Sequence, residues 1–184
     1  PYGIYIKDSS YNNISFNNIS SPSIGIYLSS ADDNNIQNNN VSSDYYGIYV
    51  SQGSNNNKIT NSTIKDCLYG IYVAYSYSTN ILNNTITNST DGILLENSDG
   101  TTIFNNTVFG NQNGIHLIAA GGSGNTIENN MIYSNAIYGI ILENSKTSTA
   151  GNNEITHNEI CNNNESGIYL YSSNTNSIQR NEIS

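Results

Sequence analysis

The order glycine, isoleucine, one variable residue, one aliphatic residue recurs eight times along the chain, beginning at Gly3, Gly25, Gly47, Gly70, Gly92, Gly114, Gly139 and Gly167. The intervals are 22, 22, 23, 22, 22, 25 and 28 residues. A period in the low twenties marks a solenoid, in which each repeat is one coil stacked on the last. A second pattern lies between the copies, two aliphatic residues five apart: Ile14/Ile19, Ile36/Val41, Ile59/Ile64, Ile81/Ile86, Ile103/Val108, Ile127/Ile132, Ile155/Ile160 and Ile178/Ile183. Length varies mainly between the Gly-Ile phrase and the next isoleucine, with inserts around Gly121–Gly124 and Lys146–Asn153. Insertions gathered at one corner predict a constant cross-section with loops on one edge.

Three short strands per coil fit this pattern. The isoleucine and the aliphatic residue of the Gly-Ile phrase are two apart, so strand alternation points both to one side. Each of the other two strands sends one aliphatic residue inward. Helices are disfavoured by the short segments and by the abundance of Asn, Ser, Thr, Gly and β-branched residues. Eight coils at about 4.8 Å each predict a rod on the order of 38 Å long. Three residues after the first isoleucine of each pair stand Asn17, Asn39, Ser62, Asn84, Asn106, Asn130, Asn158 and Asn181. That column predicts a turn with left-handed φ and amides stacked coil upon coil. A further column is uniformly small, as a tight corner requires: Ser9, Ala31, Gly53, Ser76, Ser98, Ala120, Ser145 and Ser173.

Composition narrows the choice of partners. Only 36% of the 184 residues are apolar, yet their strict register argues for order rather than disorder. The net charge of −9 and the lack of a basic cluster argue against nucleic acid. No apolar run approaches the length of a membrane span. The repeat runs unbroken, so residues 1–184 are expected to form a single domain. The chain opens and closes inside a repeat without a cap, which suggests a segment of a longer protein.

Gly-Ile-X-Leu followed by Asn-X-Ile-X-X-Asn-X-Ile resembles the repeat of the carbohydrate-binding and sugar-hydrolase (CASH) domain group, which includes NosD-like periplasmic proteins and many archaeal and bacterial surface proteins. The resemblance spans essentially the whole chain. It implies an all-β, right-handed parallel β-helix and an extracellular or cell-surface location. It is weaker for activity, because the matching residues build the coil and the group holds lyases, hydrolases, epimerases and non-catalytic binders.

Candidate chemistry sits on the variable position of the Gly-Ile phrase: Tyr5, Tyr27, Tyr49, Tyr72, Leu94, His116, Ile141 and Tyr169. Four successive tyrosines predict an exposed aromatic strip, with small Ser29, Ser51 and Ala74 forming a shallow track beside it. Tyr5, Tyr27, Tyr49 and Tyr72 are therefore the candidate carbohydrate-binding residues, suited to stacking on sugar rings. The same tyrosines could equally be cross-strand packing that stabilises the rod. His116 breaks the column, and Glu96 and Glu143 flank it on the next outward column, an arrangement that can do acid–base work. Lys146 is the only nearby cation that could neutralise a uronate. Cys67 and Cys161, on coils three and seven, stand about 19 Å apart, too far for a disulfide. The two His, two Cys and one Met form no ligand cluster, so neither a metal site nor a cofactor is expected; Asp32, Asp33 and Asp99 read as solvated loop acids. Sequons at Asn13, Asn18, Asn40, Asn61, Asn83, Asn88, Asn105 and Asn164 arise largely from the repeat itself.

Three functions remain open on this reading. The first is a non-catalytic surface module that binds or displays carbohydrate. The second is a polysaccharide lyase, hydrolase or epimerase with its site near His116, and the third a structural spacer. End-to-end self-association through unpaired strand edges is a further expectation.

Overall fold

The computed structural model describes residues 1–21, 23–119, 124–143 and 152–184. The chain winds into eight rungs, each contributing one strand to each of three faces, and every strand pair is parallel. The Gly-Ile phrases lie on the first face, in strands such as Tyr2–Lys7, Ile24–Ser29, Tyr46–Ser51, Asn113–Ile118 and Tyr138–Glu143. The second face is an eight-stranded sheet of three-residue strands, from Asn13–Ser15 to Ser177–Gln179. The third face of rungs three and four runs without a break into the first face of rungs four and five, as Thr63–Ala74 and Thr85–Glu96. These two long strands merge those faces into one fourteen-stranded sheet.

The aliphatic columns pair in the expected register. Ile14, Ile36, Ile59, Ile81, Ile103, Ile127, Ile155 and Ile178 are successive partners on the second face. Their third-face counterparts run from Ile19 through Val41, Ile64, Ile86, Val108, Ile132 and Ile160 to Ile183. From Ile26 to Ile160 the inward side chains are completely buried and form one continuous core. Burying each contributes roughly 1.5–3 kcal/mol.

The glycines are required by close approach of the backbone. A Cβ on Gly70 would stand 2.5 Å from the Gly92 carbonyl oxygen and 2.6 Å from Ile86 Cγ2. The same contact recurs up the column, so the period-setting residue is the one that lets successive rungs touch.

Two expectations shift by one residue. Left-handed φ falls on the residue before the asparagine column: Phe16, Asn38, Asn61, Asn83, Asn105, Asn129, His157 and Arg180 have φ between 54° and 58°, apart from Asn61 at 50°. The asparagines themselves turn inward and stack. Asn84 Nδ2 donates to Asn106 Oδ1 at 3.1 Å, Asn106 to Asn130 at 3.0 Å, Asn130 to Asn158 at 2.9 Å, and Asn158 to Asn181 at 2.9 Å. In the small column the third-rung member is Ser54, because Gln52 and Gly53 both take positive φ and form a one-residue bulge. Ser54 accepts from Ala31 N–H, and its own N–H donates to Ser76 Oγ. Ala120 and Ser145 of that column lie outside the described residues. A further amide stack, not anticipated, climbs the corner between the third and first faces through Asn111, Asn135 and Asn163.

Candidate functional site

The variable column of the first face is in perfect register, Tyr5, Tyr27, Tyr49, Tyr72, Leu94, His116, Ile141, Tyr169. Its exposure differs from the expectation of an open aromatic strip. Tyr5 is exposed, but Tyr27 is only 9% exposed, and Tyr49 and Tyr72 are half-buried. The rings consume one another's faces: centroids of Tyr5/Tyr27, Tyr27/Tyr49 and Tyr49/Tyr72 lie 5.0, 4.9 and 5.0 Å apart, with planes within 12° of parallel. Interior members therefore present edges and hydroxyls rather than faces. The shallow track is also closed. Ser29 and Ser51 are buried, Tyr27 Oη lies 3.2 Å from Ser51 Oγ, and Ser29 Oγ donates to Gln52 Oε1.

A second outward column accounts for much of this burial. The residue before each glycine pairs with its counterparts, giving Tyr2, Ile24, Tyr46, Tyr69, Asp91, Asn113, Tyr138 and Ser166. Tyr46 stacks on Tyr49 at 4.8 Å, and Tyr2 lies 4.8 Å from Tyr5. The two columns form one tyrosine sheet over rungs one to four. Tyr45, Tyr75 and Tyr77 keep open rings at its margins.

This sheet stops at rungs five and six, where both columns change character together. Asp91 and Asn113 replace tyrosine in one, while Leu94 and His116 replace it in the other. Asp91 is buried, and its Oδ1 accepts Asn113 Nδ2–H at 2.8 Å and lies 3.3 Å from His116 Nδ1. His116 is 9% exposed. Its Nε2 is buried without a hydrogen-bond partner and faces Glu143 Oε2 at 3.6 Å. Glu143 is the member of this line that reaches solvent, with its side chain 32% exposed. One rung below, the Tyr72 hydroxyl donates to Glu96. Burial, and then the bond to Glu96, holds the Tyr72 hydroxyl well above the usual tyrosine range.

The predicted His116, Glu96 and Glu143 are thus assembled on one face, with His116 enclosed rather than presented. Sequence reasoning missed Asp91 and Asn113, although the column before the glycines was readable as tyrosine, tyrosine, aspartate, asparagine, tyrosine. Lys146 lies outside the described residues. His157 occupies a left-handed turn at the far corner, 3.9 Å from Glu128 and beside an open groove lined by Asn105, Asn130, Met131 and Glu159. Both cysteines are free, as their separation requires. Among the described residues no group of three or more His, Cys, Asp or Glu is placed to hold a metal ion, and no helix is long and apolar enough to cross a membrane.

A coil of three parallel faces, closed by stacked amides and filled by aliphatic columns, defines a parallel β-helix. The chain belongs to the right-handed β-helix region family, whose pattern it matches over residues 2–155. None of the curated proteins is similar to it in sequence. Among solved structures, the periplasmic alginate epimerase AlgG is 18% identical and superposes with a TM-score of 0.79, covering 100% of this chain and 47% of the epimerase. An alginate lyase from Paenibacillus sp. str. FPU-7 is 18% identical, with a TM-score of 0.84, covering 99% of this chain and 72% of the lyase. The pectate lyase Pel9A is 14% identical, with a TM-score of 0.66, covering 100% of this chain and 55% of the lyase. The chain spans about half the length of the epimerase, and at these identities the likeness is one of fold.

Proposed function

We propose that this protein is an extracellular or periplasmic β-helix of the carbohydrate-binding and sugar-hydrolase kind, which engages a polysaccharide along its first face. The observation that carries the reading is the polar cluster Asp91, Asn113, His116 and Glu143, set where the tyrosine sheet of rungs one to four stops. His116 Nε2 is buried without a hydrogen-bond partner and faces the Glu143 carboxylate at 3.6 Å, and an unsatisfied buried polar group costs about 1–3 kcal/mol. Several solved proteins of this fold carry names that state polysaccharide substrates, alginate or pectate, which supports the same class of ligand.

In this reading Tyr5, exposed at the end of the stack, and the half-buried Tyr49 and Tyr72 meet the sugar, the latter two through ring edges and hydroxyls, while the buried Tyr27 packs between Tyr5 and Tyr49. Ring stacking falls to the open marginal tyrosines Tyr45, Tyr75 and Tyr77. Affinity electrophoresis through gels containing single polysaccharides tests it. Tyr49→Phe/Tyr72→Phe removes two hydroxyls while keeping the stacked rings. Retardation of the native chain that weakens at least several-fold in the double variant supports the strip. Equal retardation removes the tyrosine column from the account.

The Asp91–His116–Glu143 line favours a second reading, in which the bound polysaccharide is also processed. A histidine fixed by a buried carboxylate, with its other nitrogen facing an exposed one, is an arrangement for moving a proton. Chain shortening or epimerisation by the native chain, lost in His116→Asn, distinguishes an enzyme from a binder.

A further inference from the structure

We infer that the groove at the corner between the second and third faces is a second saccharide site, set apart from the first face so that one molecule bridges two polysaccharide chains. The bridging, though not the groove itself, rests on the first-face reading above.

The repeat breaks here in two neighbouring columns together. In the outer turn column, Asn38, Asn61, Asn83, Asn105 and Asn129 give way to His157. On the third face, successive register partners run Thr63, Thr85, Thr107, Met131 and Glu159. The groove opens where these departures meet, over rungs five to seven, with Asn105, Thr107, Asn129, Met131, His157 and Glu159 in its lining. Buried Asn106 and Asn130 complete that lining, each 1% exposed and tied into the inner amide stack. The base of the groove is therefore fixed before a ligand arrives, which lowers the ordering cost of binding. Phe109 and Tyr133, farther along the third-face strands, stand outside the lining.

The lining selects a ligand by its hydrogen-bonding range. Lower in the outer column the exposed amides consume one another, as Asn105 Nδ2 donates to Asn83 Oδ1 at 2.7 Å. Among the described residues that pairing does not continue to Asn129, and His157 turns instead to Thr156, with Nδ1 3.0 Å from Oγ1. The Asn129 amide offers both a donor and an acceptor, the Thr107 hydroxyl offers both, and the Glu159 carboxyl adds acceptors. Hydroxyl groups, which donate and accept together, match such a set. Met131 is 44% exposed and supplies an apolar surface for the C–H face of a sugar ring, to which its unbranched thioether adapts. The volume is about 250 Å³, just below the roughly 300–1,000 Å³ of sites that enclose drug-sized molecules. Three rungs span about 9–10 Å along the rod. One or two sugar units of a longer chain fill that space.

Position gives the site its consequence. The groove and the first face share no edge, because the second face separates them one way round the coil and the third face the other. A polysaccharide lying on the tyrosines leaves the groove open to another chain. Two sites on one rigid rod bind a polymer network more tightly than either alone and join its strands.

Met131 is the single methionine of the chain, so 13C-methyl methionine labelling of the whole protein gives one resonance that reads the groove. The labelled chain is titrated with oligosaccharides of glucan, xylan, mannan, alginate and polygalacturonate, and with glycerol as a polyol control. Turbidity with the parent polymers reports bridging. The expected result is a saturable shift with at least one saccharide, kept in Tyr49→Phe/Tyr72→Phe and weakened several-fold in Asn129→Gly. Glycine removes the amide without strain at this φ of 55°. The native chain clouds the matching polymer, and both variants lose that effect. No saturable shift with any saccharide, or an equal shift with glycerol, overturns the groove site and leaves the first-face reading standing. A shift lost in the tyrosine variant also overturns it, because Met131 then reports only events on the first face. A saturable shift without turbidity overturns the bridging. Electrophoretic retardation that the tyrosine variant leaves unchanged, with the Met131 shift intact, overturns the first-face reading and the bridging but supports the groove.

Discussion

Replacing Asn106 by alanine tests the claim that stacked amides hold the rungs in register. Asn106 is 1% exposed and makes bonds in three directions. Its Nδ2 donates to Ile81 O at 2.9 Å, Phe104 O at 3.1 Å and Asn130 Oδ1 at 3.0 Å, and its Oδ1 accepts Asn84 N–H at 2.8 Å. Alanine leaves the Asn84 amide buried and unpaired, which costs about 1–3 kcal/mol, and forfeits further bonds worth roughly 1 kcal/mol each. The expected loss is about 3–5 kcal/mol. The molecule contains its own control, because Ser62 occupies this column on the third rung. Ser62 Oγ accepts Asn39 N–H at 3.1 Å and donates to Thr60 O at 3.0 Å. Asn106→Ser therefore restores the most costly bond and is expected to lose roughly half as much as alanine. Urea unfolding followed by circular dichroism, with unchanged m-values, measures both. A loss below about 1 kcal/mol for alanine, or equal losses for serine and alanine, would refute the role assigned to the stack.

Other consequences follow from the same geometry. Gly70→Ala forces a Cβ against the Gly92 carbonyl oxygen, an immobile backbone atom, and should destabilise by at least about 3 kcal/mol in the same unfolding assay. Gly53→Ala meets no neighbouring atom and should cost only the strain of its positive φ, about 1 kcal/mol. Burial, as the leading cause, raises the hydroxyls of Tyr46, Tyr49, Tyr69 and Tyr72 above their ordinary range. Their unfolded counterparts ionise near pH 10, so the unfolded chain holds fewer protons above that point and stability should fall as pH rises past about 10. Tyrosinate absorbance of the native chain should correspondingly lag that of the urea-unfolded chain. Burial also pushes the Cys67 thiol up to about 11, so alkylation at mildly alkaline pH should label the more exposed Cys161 first, as read by peptide mass spectrometry.

The cross-section was legible in the sequence because one physical cause, burial in a narrow interior, repeats every rung. The Ile14-to-Ile178 and Ile19-to-Ile183 columns and the inward positions of the Gly-Ile phrase all appear where spacing placed them. Features that depend on one torsion were shifted by a residue. Left-handed φ belongs to Asn83 and Asn105 rather than to Asn84 and Asn106, because the inward amide can stack only after the turn has been made. On the third rung, positive φ at Gln52 and Gly53 moves the corner to Ser54. The exposure of the tyrosines was misjudged for a different reason. Alternation tells which side a ring leaves from, but not that parallel strands about 4.8 Å apart place rings at their own stacking distance. The site was half visible. His116 stood out as a departure from a column flanked by Glu96 and Glu143, while Asp91 and Asn113 lie three residues before Leu94 and His116, where simple alternation assigns them to the other side.

Hydroxyl-radical footprinting of the tyrosines, with and without a bound polysaccharide, tests the central claim most directly. Mass spectrometry of the labelled peptides reports which rings the ligand covers. The account predicts protection at Tyr45, Tyr69, Tyr72 and Tyr75, around the first face of rungs three and four, with Tyr11 and Tyr133 unchanged. Protection at Tyr11 or Tyr133 with the first-face tyrosines unchanged would contradict it.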